Sequence, residues 1–200
     1  MFFSSVTLIA LVLALISRRP LGRLVGARFR RIEILWVAIA LRLLFIPGAL
    51  YPILRQTPFP GLPPVGGLLY ILSLLLVVLF AWFNRWSLGI SAIGLGLLMN
   101  ALVIISNGGQ MPADPGQVAA IGQLSEFQNM KSRGEWSTFT LAKPDTRLAF
   151  LEDRLPVPMP FKEPSILSLG DLVIALGILL FFLVIPEEHP LPVPSRIPPA

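Results

Sequence analysis

The sequence predicts an all-α, polytopic membrane protein with five transmembrane helices and a small extracytoplasmic cap between helices four and five. Of its 200 residues, 54% are hydrophobic and 14% are charged, whereas soluble domains carry about 25% charged residues. Five apolar segments recur along the chain, and the one at residues 88–106 carries no charge. That segment is long enough to cross a hydrocarbon core of about 30 Å. The predicted organisation is helices one to four (1–106), the cap (107–166), helix five (167–185) and a proline-rich cytoplasmic tail (186–200).

Composition excludes several classes of site. The chain has no cysteine, which excludes disulfides, thiolate zinc sites, iron–sulfur clusters and Cys-linked haem. Its one histidine, His189, lies in the tail, so no pair of histidines can ligate haem between the helices. The net charge is +5, but six of the 16 basic residues lie between Arg18 and Arg31, beside an apolar segment. That position indicates membrane topology, so we expect no cofactor, no metal and no nucleic-acid partner.

The first predicted helix, residues 2–16, is followed by arginines instead of being preceded by them. A signal peptide has the opposite order, so we expect an uncleaved anchor with its N-terminus outside and its arginine end in the cytoplasm. The basic segment Arg18–Arg31 has two interpretations. It is a loop that sets the topology, or it is a short interfacial helix that lies on anionic lipid headgroups.

The second predicted helix begins at Ile32, runs to about Phe45 and contains Arg42. A cation at the bilayer centre costs about 2.5–3.5 kcal/mol on insertion scales. Two interpretations remain open, because Arg42 either snorkels or pairs structurally, or belongs to a functional site. A proline-rich outer loop, residues 51–64, leads to the third helix.

Helix four, residues 88–106, follows helix three, residues 66–83, after a turn so short that the two must be antiparallel neighbours. Ala92, Gly96 and Asn100 are spaced by four residues, which places them on one face of helix four. Small residues on that face allow another helix to approach closely, and Asn100 offers a hydrogen-bonding amide at membrane depth.

The cap begins with the turn Asn107-Gly108-Gly109. This turn is either a helix C-cap or a nest of backbone N–H groups for an anionic group such as a lipid phosphate. Within the cap we predict one or two short helices at 115–130, an extended segment at 138–141 and a helical turn at 145–153.

Helix five is predicted to begin with Ser168 as its N-cap and Asp171 three residues on, near the positive end of the helix dipole. Asp171, Arg147 and Asn107 are all predicted at the same face of the membrane. Arg147 therefore either pairs with Asp171 as a latch between the cap and helix five, or binds an anion beside the glycines.

Seven residues are candidates for ligand binding: Arg42, Asn100, Asn107, Gly108, Gly109, Arg147 and Asp171. The adjacent carboxylates Glu152 and Asp153 are only a weak signal for a hard cation. No catalytic set and no nucleotide-binding motif is recognisable in the sequence.

Three local patterns occur together in the chain: LGLLMNALVIISNGGQMP (95–112), DTRLAFLEDRLPVP (145–158) and SLGDLVIALGILL (168–180). In this combination the chain resembles the bacterial membrane proteins of domain-of-unknown-function family 5317. That family carries an Asn-Gly-Gly-x-Met-Pro turn, a Thr-Arg-Leu stretch and a Ser-x-Gly-Asp helix start in the same order. The resemblance covers nearly the whole chain and implies a multi-pass protein of the bacterial cytoplasmic (inner) membrane, with no assigned activity. The chain departs from the family pattern in its proline-rich segments, 47–64 and 186–200.

Two functional hypotheses follow. The first is a non-catalytic accessory or structural subunit of a larger membrane complex, with the bilayer and other membrane subunits as partners. The second is a binder or enzyme for a lipid, quinone or isoprenoid at the outer membrane face. Its polar groups would come from the seven candidate residues.

Overall fold

The computed structural model describes residues 2–17, 29–44, 50–132, 137–157 and 164–184. Its α-helices are α1 (Phe2–Ile16), α2 (Ile32–Leu43), α3 (Tyr51–Leu54), α4 (Val65–Phe83), α5 (Leu88–Ser106), α6 (Pro115–Ala120), α7 (Leu124–Ser132) and α8 (Leu169–Leu183). Its strands are β1 (Met111–Ala113), β2 (Phe139–Leu141), β3 (Leu155–Val157) and β4 (Ser165–Leu167), and a 3₁₀ turn covers Ala149–Leu151.

The structure is mostly helical, and a helix forms in each of the five segments that the sequence predicted to span a membrane. Two of them, α4 and α5, are 19 residues each and are long and apolar enough to cross a bilayer. Helices α1 and α8 are apolar but have only 15 residues each. The structure therefore has two candidate membrane-spanning helices. Residues 18–28 of the predicted basic segment Arg18–Arg31 and the proline-rich tail at 186–200 lie outside the described residues.

The five long helices pack in a row in the order α2, α4, α5, α8, α1. Helices α4 and α5 form the predicted antiparallel hairpin, because only four residues separate the end of one from the start of the other. Helices α5 and α8 share the most extensive packing and are also antiparallel. Gly89 at the start of α5 faces Phe181 near the end of α8, while Gly96 faces Gly170 at the start of α8.

Helices α5 and α8 meet along a seam of glycines at which their backbones touch. The seam has two glycines seven residues apart on each helix, Gly89 and Gly96 on α5, Gly170 and Gly177 on α8. A seven-residue spacing keeps small residues on one helix face. Gly96 of the predicted small-residue face thus packs against the chain's own α8, and Asn100 follows it one turn later.

The cap contains short strands that the prediction of an all-α fold missed. Strands β1 and β2 are parallel, and β3 and β4 are antiparallel. Asp153 joins the other side of β1, because its N–H donates to the Pro112 carbonyl (2.9 Å) and its carbonyl accepts from the Asp114 N–H (2.8 Å). Each strand has three residues, too short for an alternating pattern to be visible in the sequence. The predicted short helices (α6 and α7) and the extended segment (β2) are confirmed.

The cap is packed onto the helices by its own apolar residues. Met111 and Leu151 from the cap form one buried cluster with Leu74 of α4 and with Ala101 and Ile104 of α5. Because β4 leads directly into α8, the cap links the end of α5 to the start of α8 through this cluster and the short strands. The helix ends and the cap are therefore positioned together.

Two asparagines at helix C-termini attach distant segments in the same way. Asn84 follows α4, and its side-chain amide accepts from the Arg30 N–H (2.8 Å) and donates to the Arg30 carbonyl (2.9 Å). Asn107 follows α5 and makes the same two bonds with Arg147, at 2.9 and 2.8 Å. Each amide pairs with one residue's N–H and C=O as a strand residue would. The two clamps lie at opposite ends of the α4–α5 hairpin.

Substitution of Gly177 by alanine tests the glycine seam. A Cβ at this position would lie 2.6 Å from the Ile93 nitrogen and 2.8 Å from the Gly89 carbonyl oxygen, so α5 and α8 must separate. We expect Gly177→Ala to destabilise the protein by about 1–3 kcal/mol, seen as a lower thermal unfolding midpoint in detergent. Leu176→Ala, on the exposed side of α8, is the control. Equal losses in the two variants would contradict the seam.

Candidate functional site

Polar side chains from four helices and the cap converge where the cap meets the helices. We call this set the cap-side cluster, and its members are Arg42, Tyr70, Asn100, Asp153, Ser168 and Asp171. Tyr70 is five residues from the start of α4 and Asn100 is six from the end of α5. At 1.5 Å per residue both therefore lie about 8–9 Å inside their helix ends.

Asn100, Ser168 and Asp171 form a closed network of hydrogen bonds between α5 and α8. Asn100 Nδ2 donates to Asp171 Oδ1 (2.9 Å), and Ser168 Oγ donates to Asn100 Oδ1 (2.9 Å). Ser168 Oγ also accepts from the Asp171 N–H (3.0 Å), while Asp171 Oδ2 accepts from the Ser168 N–H (3.1 Å). The last two bonds are the capping box that the sequence predicted at the start of helix five.

The network explains why asparagine and serine suit these positions. Ser168 is fully buried, so its hydroxyl needs both a donor and an acceptor nearby. The carbonyl oxygen and the NH₂ group of Asn100 supply complementary partners to Ser168 and Asp171. The negative charge of Asp171 also lies at the positive end of the α8 dipole. Each of these groups has a hydrogen-bond partner within the network, which joins the start of α8 to α5.

Arg42 lies in the last turn of α2 and stacks on Tyr70 of α4. Its guanidinium carbon is 4.2 Å from the centroid of the Tyr70 ring, a cation–π geometry. The charged groups that act electrostatically on Tyr70 are Arg42, Asp153 and Asp171, which places both carboxylates near its ring. Among the described residues, no carboxylate lies within ion-pair distance of Arg42. Arg42 thus presents hydrogen-bond donors that the described part of the protein leaves without an acidic partner.

Asp153 brings a proton-binding carboxyl to the cluster. Its backbone is fixed beside β1, while its side chain makes no hydrogen bond to another described residue. Burial raises the pKa of Asp153 to about 8, and the nearby charges of Asp171 and Glu152 add to this increase. Glu152 itself is ion-paired with Arg154 at 2.8 Å. At neutral pH the Asp153 carboxyl is therefore protonated and able to donate a hydrogen bond.

The turn after α5 is occupied by structural contacts. The Gly109 N–H donates to the Ile104 carbonyl at 2.9 Å, the six-to-one bond of a Schellman cap. Gly108 and Gly109 have φ of +73° and +86°, which suit glycine. Gly109 also packs against Gly67 at the start of α4. The C-cap interpretation of Asn107-Gly108-Gly109 accounts for this geometry, and binding of an anion there stays a prediction.

Arg147 is held at the cap by its backbone and not by its guanidinium. The Asn107 amide bonds to both its N–H and its carbonyl, and its side chain is exposed. The ion pair considered between Arg147 and Asp171 is not formed: the Arg147 side chain is exposed, and the Asp171 carboxylate accepts from Asn100 and from the Ser168 N–H instead. The Asn107 clamp joins Arg147 to the end of α5, the predicted helix four, and makes no contact with α8, the predicted helix five.

Of the seven predicted candidates, the structure brings Arg42, Asn100 and Asp171 together in the cap-side cluster and places the others in the neighbouring turn and clamp. Sequence reasoning missed Tyr70, and it considered Asp153 only as half of a carboxylate pair. A signal for Tyr70 was present, because it is one of only two tyrosines in the chain and lies inside an apolar helix. No local signal reveals that Asp153 approaches Asp171.

The fold and the cluster define a class: a mainly helical protein with two candidate membrane-spanning helices and a polar site where a small cap closes over them. A family model described as a family of unknown function, DUF5317, matches residues 27–183, and the chain belongs to that family. An uncharacterised protein of Thermotoga maritima is similar, with 28% identity over 136 residues that cover 68% of this chain and 73% of that protein. No solved structure matches the chain.

The pH dependence of stability tests the environment of Asp153. Its folded pKa of about 8 lies above the value near 3.9 of an unfolded aspartate. Between these values the folded protein holds a proton that the unfolded chain has released, so stability should fall as pH rises through this window and level off above it. Asp153→Asn keeps the neutral shape and should flatten the decline.

The measurement is the thermal unfolding midpoint in detergent between pH 5 and pH 9, a range that covers most of this titration. In this window the folded and unfolded states are expected to differ by about one bound proton. Asp145→Asn, on an exposed cap residue, is the control and should retain the slope of the wild-type protein. Parallel curves for wild type and Asp153→Asn would refute a protonated Asp153.

Proposed function

We propose that the protein is an integral membrane protein with five transmembrane helices whose cap-side cluster binds the headgroup of an amphipathic ligand at the outer membrane face. The ligand is a lipid, quinone or isoprenoid. The observation that carries the proposal is Arg42, a cation without an acidic partner among the described residues, stacked on Tyr70, on which the charge of Asp153 also acts. Ionisable groups at membrane depth mark functional sites by default.

The exposed surfaces of the helices support membrane insertion. Large apolar side chains are exposed along α1, α2, α4, α5 and α8, among them Ile16 at 72% and Trp36 at 65%. Lipid tails would cover these side chains. Helices α1 and α8 reach only about 22 Å, and short spans are accommodated by local bilayer thinning. Their packing beside the longer helices supports five spans.

The positions of the arginines support an orientation with the cap outside. Arg30, Arg31 and Arg85 lie at the end of the α4–α5 hairpin that is opposite the cap. Basic residues are enriched on the cytoplasmic side of membrane proteins. With that end in the cytoplasm, the N-terminus of α1 is outside, and the chain leaves α8 toward the cytoplasm.

The chemistry of the cluster selects a class of headgroup. The Arg42 guanidinium and the protonated Asp153 carboxyl are hydrogen-bond donors, while the ring and hydroxyl of Tyr70 hold the Arg42 guanidinium. Such a set favours an oxygen-rich headgroup, a phosphate or a carbonyl. Asn100, Ser168 and Asp171 hydrogen-bond to one another and hold α5 against α8 in the same region. The hydrogen-bond donors of the cluster account for the binding of a headgroup without a chemical reaction.

Arg42→Gln tests ligand binding. Hydrogen bonds to charged groups contribute about 1.5–3 kcal/mol, so we expect the variant to retain the co-purified lipid or quinone at least about tenfold less well. The measurement is mass spectrometry of small molecules bound to protein purified in a mild detergent. Arg55→Gln removes an exposed arginine from the loop before α4 and is the matched control. Equal retention by both variants would exclude Arg42 from the site.

A second candidate function is the non-catalytic accessory subunit of a membrane complex. Exposed aromatic residues outside the candidate spans favour it, since Phe59 is 68% exposed in the loop before α4 and Phe150 is 58% exposed in the cap. Lipid does not account for these two side chains, whereas a protein partner would. The small-residue face of α5 no longer favours this hypothesis, because α8 covers it.

Co-purification tests the subunit hypothesis. Membrane proteins recovered in stoichiometric amount with the wild type, and lost from Phe59→Ser/Phe150→Ser, would support it. A monodisperse protein that carries one specific lipid and no protein would refute it. Leu172→Ser, on an exposed side of α8, is a control for the loss of an apolar surface residue.

A further inference from the structure

The end of the α4–α5 hairpin opposite the cap carries a surface that the proposed function does not use. Arg30, Arg31 and Arg85 are exposed there, together with Trp82 and Trp86. We call these five residues the arginine–tryptophan face. It combines residues that precede α2 with the last turn of α4 and the turn between α4 and α5.

A buried asparagine holds the two parts of this face together. Asn84 is fully buried, and it bonds to both the N–H and the carbonyl of Arg30. Its Nδ2 also donates to the Phe80 carbonyl at 2.8 Å, so every part of the amide is used. Because Arg85 follows Asn84 directly, the clamp fixes Arg30 and Arg85 as neighbours.

Phe29 anchors the same segment from the apolar side. Its ring centroid lies 6.1 Å from that of Phe80 and 6.4 Å from those of Trp86 and Phe181. These are the separations of interacting aromatic rings. Phe29 therefore joins the ends of α4 and α8 and the start of α5, while the arginine side chains that follow it point away from the core and stay exposed.

The cations of the face are arranged as at a membrane surface. The Arg85 guanidinium carbon is 4.7 Å from the Trp82 ring centroid. Arg31 is 3.6 Å from Glu33, whereas Arg30 and Arg85 have no acidic partner within the described ranges. Tryptophan and arginine together are typical of the headgroup level, where the ring is in the interface and the cation meets phosphate.

We propose that the arginine–tryptophan face binds anionic phospholipid headgroups of the bilayer, with the Asn84 clamp holding Arg30 and Arg85 side by side as a two-point phosphate contact. The charge complementarity of two guanidinium groups that lack an acidic partner in the described part of the chain selects an anionic headgroup over a zwitterionic one. Each basic residue at such a surface contributes about fivefold in binding. This surface is independent of the cap-side cluster.

Tryptophan fluorescence in nanodiscs tests the proposal directly. The chain has four tryptophans, so Trp36→Phe/Trp136→Phe leaves only Trp82 and Trp86 as reporters. The discs consist of phosphatidylcholine with a minor fraction of either brominated phosphatidylglycerol or brominated phosphatidylcholine, and bromine quenches a tryptophan that it contacts. The ratio of quenching by the two lipids within one variant reports the local preference for the anionic lipid.

We expect a preference of about fivefold or more for phosphatidylglycerol. The preference should be lost when Arg30→Gln/Arg85→Gln is added to the reporter protein. In the reporter protein with both arginines intact, high salt should weaken it by screening. Arg55→Gln/Lys143→Gln removes the same charge at the cap end and should retain the preference. Equal quenching by both lipids, or a preference that survives Arg30→Gln/Arg85→Gln, would overturn the proposal. An acidic protein partner that needs Arg30 and Arg85, with no lipid preference, would overturn it as well.

Discussion

The backbone contact between α5 and α8 is the constraint on which the rest of the structure depends. Apolar side chains provide little drive for helices to associate in lipid, so close packing and interhelical hydrogen bonds must hold them together. Gly96 and Gly170 allow that approach, and Asn100 is thereby brought within 2.9 Å of both Asp171 and Ser168. A larger side chain in the seam would open these polar contacts, because they depend on the same separation of the helices.

The position of the α8 start then determines the cap. Ser168 joins β4 to α8, β4 pairs with β3, and Asp153 lies just before β3 on the edge of β1. The seam therefore sets how near Asp153 comes to Asp171. Burial is the main reason that the pKa of Asp153 is raised, and the charge of Asp171 adds to it. The two aspartates thus acquire different roles: the Asp171 carboxylate is fixed in the capping box, and the Asp153 carboxyl holds a proton.

Local chemistry accounts for what could be predicted from the sequence. The bounds of α5 follow from an uncharged run that ends at Asn107-Gly108, and the capping box at Ser168 and Asp171 follows from their three-residue spacing. Tyr70 and Asp153 could not be assigned to one site, because 83 residues separate them and only tertiary packing joins them. Arg147 was expected to act through its charge, but its backbone makes the contact, and a side-chain pattern carries no information about such a bond.

The energetic balance at Arg42 connects this fold with a ligand. An arginine at the bilayer centre costs about 2.5–3.5 kcal/mol on insertion scales, and stacking on an aromatic ring returns about 0.5–2 kcal/mol. Arg42 lies in the last turn of α2. With α2 in the membrane as proposed, the insertion cost there is lower than at the centre, but the guanidinium still has five donors to satisfy. Tyr70 covers one of its faces and offers one hydroxyl. The remaining donors favour an oxygen-rich group that the described residues do not supply, which is the physical reason that we propose a headgroup at this site.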